Sequence, residues 1–272
     1  MAFDGAALAA TVGYSAAAVA AVLLVTFAVA QVVGKHSVID TAWGLLFCST
    51  AITSFVASDG YGDVVRRILL LVLPLVWGLR LAVHIGRRSR GRPEDPRYAR
   101  MLDRAKGDPQ LYALRSIYLL QGLLALVVAS PIVLGSFEAT PVRVTAWIGV
   151  AVWFVGVLFE AVGDAQLERW RTDPSHEGKV IDVGLWRYTR HPNYFGDACV
   201  WWGIFLVAAD AWPGVVTIYA PVVMTLLLTK GSGVRVLEQH MARREGWDDY
   251  RSRTSVFVPL PPAVTRRIHA SR

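Results

Sequence analysis

The length of the apolar runs constrains this chain more than any other feature. Seven stretches, Leu8–Val33, Val38–Val56, Ile68–Ile85, Ile117–Leu134, Val144–Val162, Tyr194–Ala208 and Val215–Thr229, carry few charged residues or none. A helix needs roughly 20 apolar residues to cross a hydrocarbon core about 30 Å thick, and there every backbone N–H and C=O must be paired within the protein. Strands meet that demand only in a closed barrel, whose strands alternate apolar and polar residues; these runs do not alternate. The sequence therefore predicts an all-α polytopic membrane bundle of about seven transmembrane helices, forming a single membrane-embedded domain over residues 1–272. Residues 1–140 would supply helices one to four, and residues 141–260 helices five to seven and a tail.

Charge sets the expected orientation. Lys and Arg crowd connections that hold Lys35, Arg87 to Lys106, Arg169 to Arg190, and the tail from Lys230. The opposite connections hold Asp4, Asp59, Asp63, Glu138 and Asp210, with Arg66, Arg67 and Arg143 as exceptions at the outer mouths of helices three and five. Basic loops stay cytoplasmic, so the N-terminus is expected outside and the C-terminus inside. A net charge of +7 in such a chain fits anionic headgroups, and no nucleic-acid signature accompanies it, so no nucleic-acid partner is expected. Cys48 and Cys199 both lie in apolar runs, which argues against a disulfide framework. The first residues carry only Asp4 as a charge and lack the basic start of a secretory signal, so the first run is expected to remain as a span.

Between the runs, Gly86–Arg115 mixes both signs with Gly91, Pro93, Pro96 and Pro109 and reads as a cytoplasmic loop with a short helix at Tyr98–Lys106. Val234–Arg253 reads as one amphipathic surface helix before the prolines 259, 261 and 262. Gly149, Gly156 and Gly163 recur every seventh residue and would let another helix approach closely.

Ionisable groups at membrane depth are costly and usually face the bundle interior. Asp40, Arg80, His84, Glu160 and Asp164 all belong to apolar runs or their ends, and Tyr118 and Gln121 open the fourth. Arg80 and His84 are four apart, as are Glu160 and Asp164, so each pair shares a helix face. This pattern implies a polar cavity opening toward the cytoplasm; the competing interpretation is that the groups snorkel or pair at the interface to hold helices together. The remaining histidines, His36, His176, His240 and His269, are scattered and read as surface residues. No Cys/His spacing suits a metal, no glycine-rich dinucleotide fingerprint follows a strand, and no serine sits in a nucleophile elbow.

The densest polar run is Gly184-Leu-Trp-Arg-Tyr-Thr-Arg-His-Pro-Asn-Tyr-Phe-Gly-Asp197, at the entry to the sixth helix. Arginine binds phosphate bidentately and stacks on aromatic rings, while Asn and Asp recognise amides and hydroxyls. A basic, aromatic membrane flank would explain the Arg and Tyr residues here, but not Asn193 and Asp197 running into an apolar helix.

From Trp186 to Asp197 the chain resembles the C-terminal signature of the steroid 5-alpha-reductase superfamily, and most of all its bacterial multi-span branch, the DUF1295 proteins. The likeness extends to Asp164-x-x-Leu167-x-x-x-Arg171 upstream and to Trp201, Glu238, Gly246, Tyr250, Arg253 and Phe257-x-Pro259 downstream. The resemblance implies NADPH held in a seven-helix bundle in a bacterial inner membrane, and reduction of a double bond conjugated to a carbonyl in a hydrophobic, lipid-like substrate. It assigns cofactor contacts to Asp164, Arg171, Tyr188, Asn193, Asp197, Trp201, Tyr250 and Arg253, and Arg187, Arg190, His191, Tyr194 and Glu238 beside them are expected to join the cofactor site. The steroid enzymes polarise the ketone with a glutamate in helix two and a tyrosine in helix three. Here helix two offers Asp40 and helix three has no internal tyrosine, so the expected catalytic groups are Asp40, His84 and Tyr118, with Trp43, Arg80, Gln121 and Glu160 toward substrate. Two other readings stay open. The Arg190-His191-Pro192-x-Tyr194 core also resembles S-adenosylmethionine-dependent isoprenylcysteine and phospholipid methyltransferases, although Glu238 is followed by Gln239 and not by a second glutamate. A non-enzymatic membrane protein would fit the arginine-rich loops equally well.

Overall fold

The structure is a computed structural model that describes residues 4–231 and 233–262; His269 and the side chain of His240 lie outside the described residues. A helix occupies each of the seven apolar runs. Five are long and apolar enough to cross a membrane: α1 (Gly5–Val33), α2 (Val38–Ala57), α3 (Val64–Ser89), α5 (Pro109–Gly135) and α6 (Val144–Thr172), with the short α4 (Pro96–Leu102) between the third and fourth of them. Two shorter apolar helices follow, α7 (Pro192–Ala208) and α8 (Gly214–Thr229), then α9 (Val234–Met241) and α10 (Trp247–Arg253). Among the described residues there are no strands, only two isolated bridges. The chain is an integral membrane protein.

Local chemistry sets the helix ends. Asp4 caps α1 by accepting from the N–H groups of Ala6 and Ala7, and Gly34, at φ +72°, closes its other end through an N–H bond to the Ala30 carbonyl. Asp63 caps α3, and Asp108 with Pro109 opens α5. Within α5, Leu114–Leu119 forms a π turn.

Two expected elements differ from the structure. The loop helix starts at Pro96 and not at Tyr98, because Asp95 accepts from the Arg97 N–H and the proline suits the first helical position; it ends at Leu102, before Gly107 at φ +97°. The single tail helix is two helices, because Gly246 adopts φ +77°, and the second of them buries Trp247 and Tyr250.

The chain falls into two compact units, Met1–Ile148 with Ile204–Ala220, and Gly149–Gly203 with Pro221–Arg272. In the first, α2 meets α3 so closely that a Cβ on Gly78 would lie 2.5 Å from the Gly44 carbonyl oxygen. In the second, a Cβ on Gly196 would lie 2.5 Å from the Gly156 oxygen, and one on Gly203 2.6 Å from the Gly149 oxygen. The heptad glycines of α6 therefore do let backbones touch; the third, Gly163, faces Pro192.

Of the three arginines expected at outer helix mouths, Arg66 and Arg67 are buried and Arg143 is exposed. Arg66 donates to the carbonyls of Val207 (3.3 Å), Glu138 (3.1 Å) and Thr140, and to the Asp210 carboxylate at 3.1 Å, both partners having fully buried side chains. Asp210 in turn accepts from the N–H groups of Arg143 and Ala146 at the start of α6. Arg67 donates to Ser58, to the Phe55 carbonyl and to Asp59.

Candidate functional site

Polar side chains gather in two places, one in each unit. In the first unit Asp40 sits in the first turn of α2, and its carboxylate meets two neighbouring residues of α4. Tyr98 donates its hydroxyl proton to one oxygen (2.5 Å), and Arg97 donates to the other (3.0 Å). Gln121 of α5 donates its amide N–H to the Tyr98 oxygen at 3.2 Å. The phenol ring is buried against Ile39, Ile117 and Tyr118, while Asp40 and Arg97 keep side-chain exposures of 28% and 37%. One apolar wall and one wet edge meet at this carboxylate.

Electrostatics sharpen the pairing. Burial and the adjacent Asp40 charge raise the Tyr98 pKa well above the ordinary phenol value, so the proton stays on Tyr98 at neutral pH. Burial works against the Arg97 charge, but Asp95 and Asp40 outweigh it and raise its pKa further. Burial likewise opposes ionisation of Asp95, yet its hydrogen bonds from Arg97 hold its pKa below the usual carboxylate range.

Tyr118, expected as the catalytic phenol, packs in the same buried cluster as Tyr98 but directs its hydroxyl to a different partner. It is buried in the π turn of α5, and its hydroxyl meets His36 Nδ1 at 3.2 Å. His36 was expected at the surface; it is 5% exposed, because Glu94 accepts from the N–H groups of His36 and Ser37 and Phe27 and Tyr118 pack against its ring. Trp43 stands three residues beyond Asp40 on α2 and meets Phe47 edge-on. Arg80 and His84 are half-buried on α3.

Sequence reasoning missed Tyr98 and Arg97 because they fall in a charged, proline-containing loop. The signal was present: Asp95-Pro96 is a helix start, and Tyr98, Met101 and Leu102 then share one apolar face.

In the second unit the crossing of α6 and α7 carries the other polar group. Glu160 is buried on α6 with its side chain against Gly196, and one turn further along Asp164 accepts from the Asn193 amide at 3.5 Å. Asp197 follows Asn193 by four residues on α7 and is half-buried. Trp186 donates its indole N–H to the Gly163 carbonyl at 3.0 Å, and Trp201 is fully buried. Arg171, Arg187 and Tyr188 are exposed.

The remaining residues of the signature hold the tail. Arg190 donates to Glu238 (2.8 Å) and to the carbonyls of Arg251 (3.0 Å) and Thr254 (2.8 Å), with Trp247 stacked on its guanidinium. His191 Nε2 lies 3.3 Å from the same Glu238, and Tyr194 stacks on the His191 ring. Burial opposes ionisation of Glu238, but His191 and Arg190 outweigh it and lower its pKa. Tyr250 donates to the Trp186 carbonyl at 2.7 Å, its pKa raised by burial, and Arg253 bonds Asp182 (2.7 Å) and Asp249 (2.9 Å). These groups are committed to partners within the chain, and they fix the segment that carries Arg187 and Tyr188 and leads into Asn193 at the start of α7. Among the described residues no cluster could hold a metal ion.

Comparison with known proteins gives three findings. Residues 26–254 match the family model described as protein of unknown function (DUF1295). Two curated relatives, both 3-oxo-5-alpha-steroid 4-dehydrogenase 1, are 30% identical (Rattus norvegicus) and 29% identical (Mus musculus) over 112 residues. That match covers 41% of this chain and 40% or 41% of each relative, so the chain spans about two fifths of the length of the curated relatives it matches. No solved structure gives a significant match.

Proposed function

Because the chain belongs to the DUF1295 family, we propose that it is a membrane-embedded, NADPH-dependent reductase that saturates a carbon–carbon double bond conjugated to a carbonyl in a hydrophobic, lipid- or steroid-like substrate. The observation that carries this reading is the Asp40–Tyr98 pair. A carboxylate and a phenol are the groups that the resemblance requires, and here the phenol comes from α4, where the sequence reading expected it on a long helix.

The pair suits the chemistry. Adding hydride to the β-carbon of an enone leaves negative charge on the carbonyl oxygen, and a donor in a water-poor site must meet it. Tyr98 keeps its proton at neutral pH and sits in an apolar wall. Arg97 balances the Asp40 charge, and Gln121 fixes the phenol oxygen from the other side. A substrate oxygen would replace Asp40 as acceptor of the Tyr98 hydroxyl and take its proton, and water at the exposed edge of the Asp40 carboxylate would reprotonate the phenolate through that carboxylate.

A nicotinamide cofactor, when bound, supplies the hydride. The second unit's side chains fit such a group: a half-buried amide and carboxylates for hydroxyl and carboxamide groups, and the exposed Arg171 and Arg187 for phosphates. We assign α7 and α8 as the sixth and seventh spans, with the N-terminus outside and the C-terminus in the cytoplasm of a bacterial cell; the distribution of Lys and Arg supports this.

The test is NADPH binding to the full chain purified in detergent, with S-adenosylmethionine as competitor. Saturable NADPH binding that S-adenosylmethionine does not displace is expected. Folded wild type that binds no NADPH rejects the reading, and displacement by S-adenosylmethionine transfers it to the methyltransferases.

A further inference from the structure

A cavity of about 300 Å³ lies in the first unit, outside the Asp40–Tyr98 pair, lined by Ala30, Gln31, Gly34, His36, Glu94, Ala99, Leu102, Asp103 and Gln110. At about 30 Å³ per water in the liquid it has room for a head of several heavy atoms. Ala30, Ala99 and Leu102 supply its apolar lining. Gln31 and Gln110 close one side through an amide hydrogen bond of 2.8 Å.

The polar character of its lining is one-sided. The last turn of α1 ends here without a basic residue, so no side chain of that turn offsets the negative end of a 29-residue helix. Asp103 is exposed, its N–H donates to the Ala99 carbonyl, and its carboxylate has no hydrogen-bond or ion-pair partner among the described residues. Glu94 accepts from the N–H groups of His36 and Ser37, and Lys35 turns away to donate to the carbonyls of Ser89 and Arg92. His36 is nine-tenths buried, pairs Nδ1 with Tyr118, and among the described residues has no partner for Nε2. A side chain on Gly34 would meet nothing within 4 Å, so the space beside it is open.

We propose that this cavity binds a primary ammonium group, as carried by an ethanolamine headgroup. A helix C-terminus and a free carboxylate favour a cation with N–H donors, and His36 Nε2 accepts from one in the tautomer whose Nδ1–H donates to Tyr118. No Phe, Tyr or Trp is among the residues that line the cavity, which disfavours quaternary ammonium, whose recognition uses the faces of those rings. The depth is suitable: α1 at 1.5 Å per residue exceeds the roughly 30 Å hydrocarbon core, so Gly34 lies at the headgroup layer. The same chemistry is offered by a membrane lipid and by a free amine.

Titration calorimetry on the full chain in detergent separates these sources. The probes are short-chain phosphatidylethanolamine, short-chain phosphatidylcholine and free ethanolamine, each against wild type and Asp103→Asn. Asp103 is exposed and outside the proposed catalytic groups, so the variant is expected to fold and to bind NADPH as wild type does. The ethanolamine lipid is expected to bind at least about fivefold more tightly than the choline lipid, and Asp103→Asn to remove about that factor, the size of one exposed ion pair. Binding of free ethanolamine as strong as that of the lipid, and equally sensitive to the variant, assigns the site to a soluble amine. Equal binding of both lipids without ethanolamine binding, or no effect of Asp103→Asn, overturns the proposal.

Discussion

Two ion pairs in the first unit make an instructive contrast. Arg66 and Asp210 have no side-chain exposure, and between them they engage three carbonyls and two backbone N–H groups as well as each other. Arg97 and Asp40 keep about a third of their side-chain surface, and Asp40 adds a phenol to its guanidinium partner. A buried ion pair whose other neighbours are all fixed backbone groups can only hold helices together. A carboxylate with a phenol on its apolar side and water on the other can exchange a proton. The difference lies in the partners, since the residue types are the same.

The largest expected effect breaks the first pair. Arg66→Leu leaves Asp210 buried without its cation and should cost about 3–5 kcal/mol of stability, read as a lower unfolding midpoint in detergent. Adding Asp210→Leu should recover part of that loss; no loss in the single variant would show that the clasp is not structural.

The next prediction acts on the second pair. Asp40→Asn should lower turnover about a hundredfold, the scale of a lost acid–base group, with a change in stability under about 1 kcal/mol. If it destabilises as much as Arg66→Leu, the contrast fails. Asn193→Ala, which removes the amide bonded to Asp164, should weaken NADPH binding about tenfold while the protein still folds, measured by equilibrium titration.

The smallest effect is on pH dependence. Folding lowers the Glu238 pKa below its usual value of 4.5, against the burial that would raise it. Such a group adds stability above its unfolded pKa and loses it as pH falls through the folded one. Wild type should therefore lose stability on acidification below about 4.5, and Glu238→Gln should show a shallower acid limb over that window. Parallel limbs for the two proteins would mean that the Arg190–His191–Glu238 contacts do not stabilise the tail.

Much of the architecture was legible because lipid leaves few options. Apolar runs in water could be core helices or strands, but in lipid they must be helices, and all seven hold helices here, five of them long and apolar enough to cross a membrane. Asp40 and Gln121 were legible as polar groups at membrane depth, and the spacing of Gly149 and Gly156 announced the α6–α7 contact. What the sequence hid depends on distance along the chain. Arg66 and Asp210 stand 144 residues apart, so nothing local marks them as partners. His36 follows Gly34 and Lys35, a typical surface context, and its burial comes from Glu94, 58 residues away. Tyr98 was overlooked because a charged loop has no periodicity to flag a seven-residue helix that docks on Asp40.

The central claim is that the Tyr98 hydroxyl, held by Asp40, is the proton donor of a reduction. The direct measurement is NADPH consumption by the purified full chain offered a 3-oxo-4-ene steroid and an open-chain isoprenoid enone, with wild type beside Tyr98→Phe. Consumption with at least one substrate, falling about a hundredfold in Tyr98→Phe at unchanged NADPH affinity, is the predicted result. Equal consumption by the two proteins would contradict it.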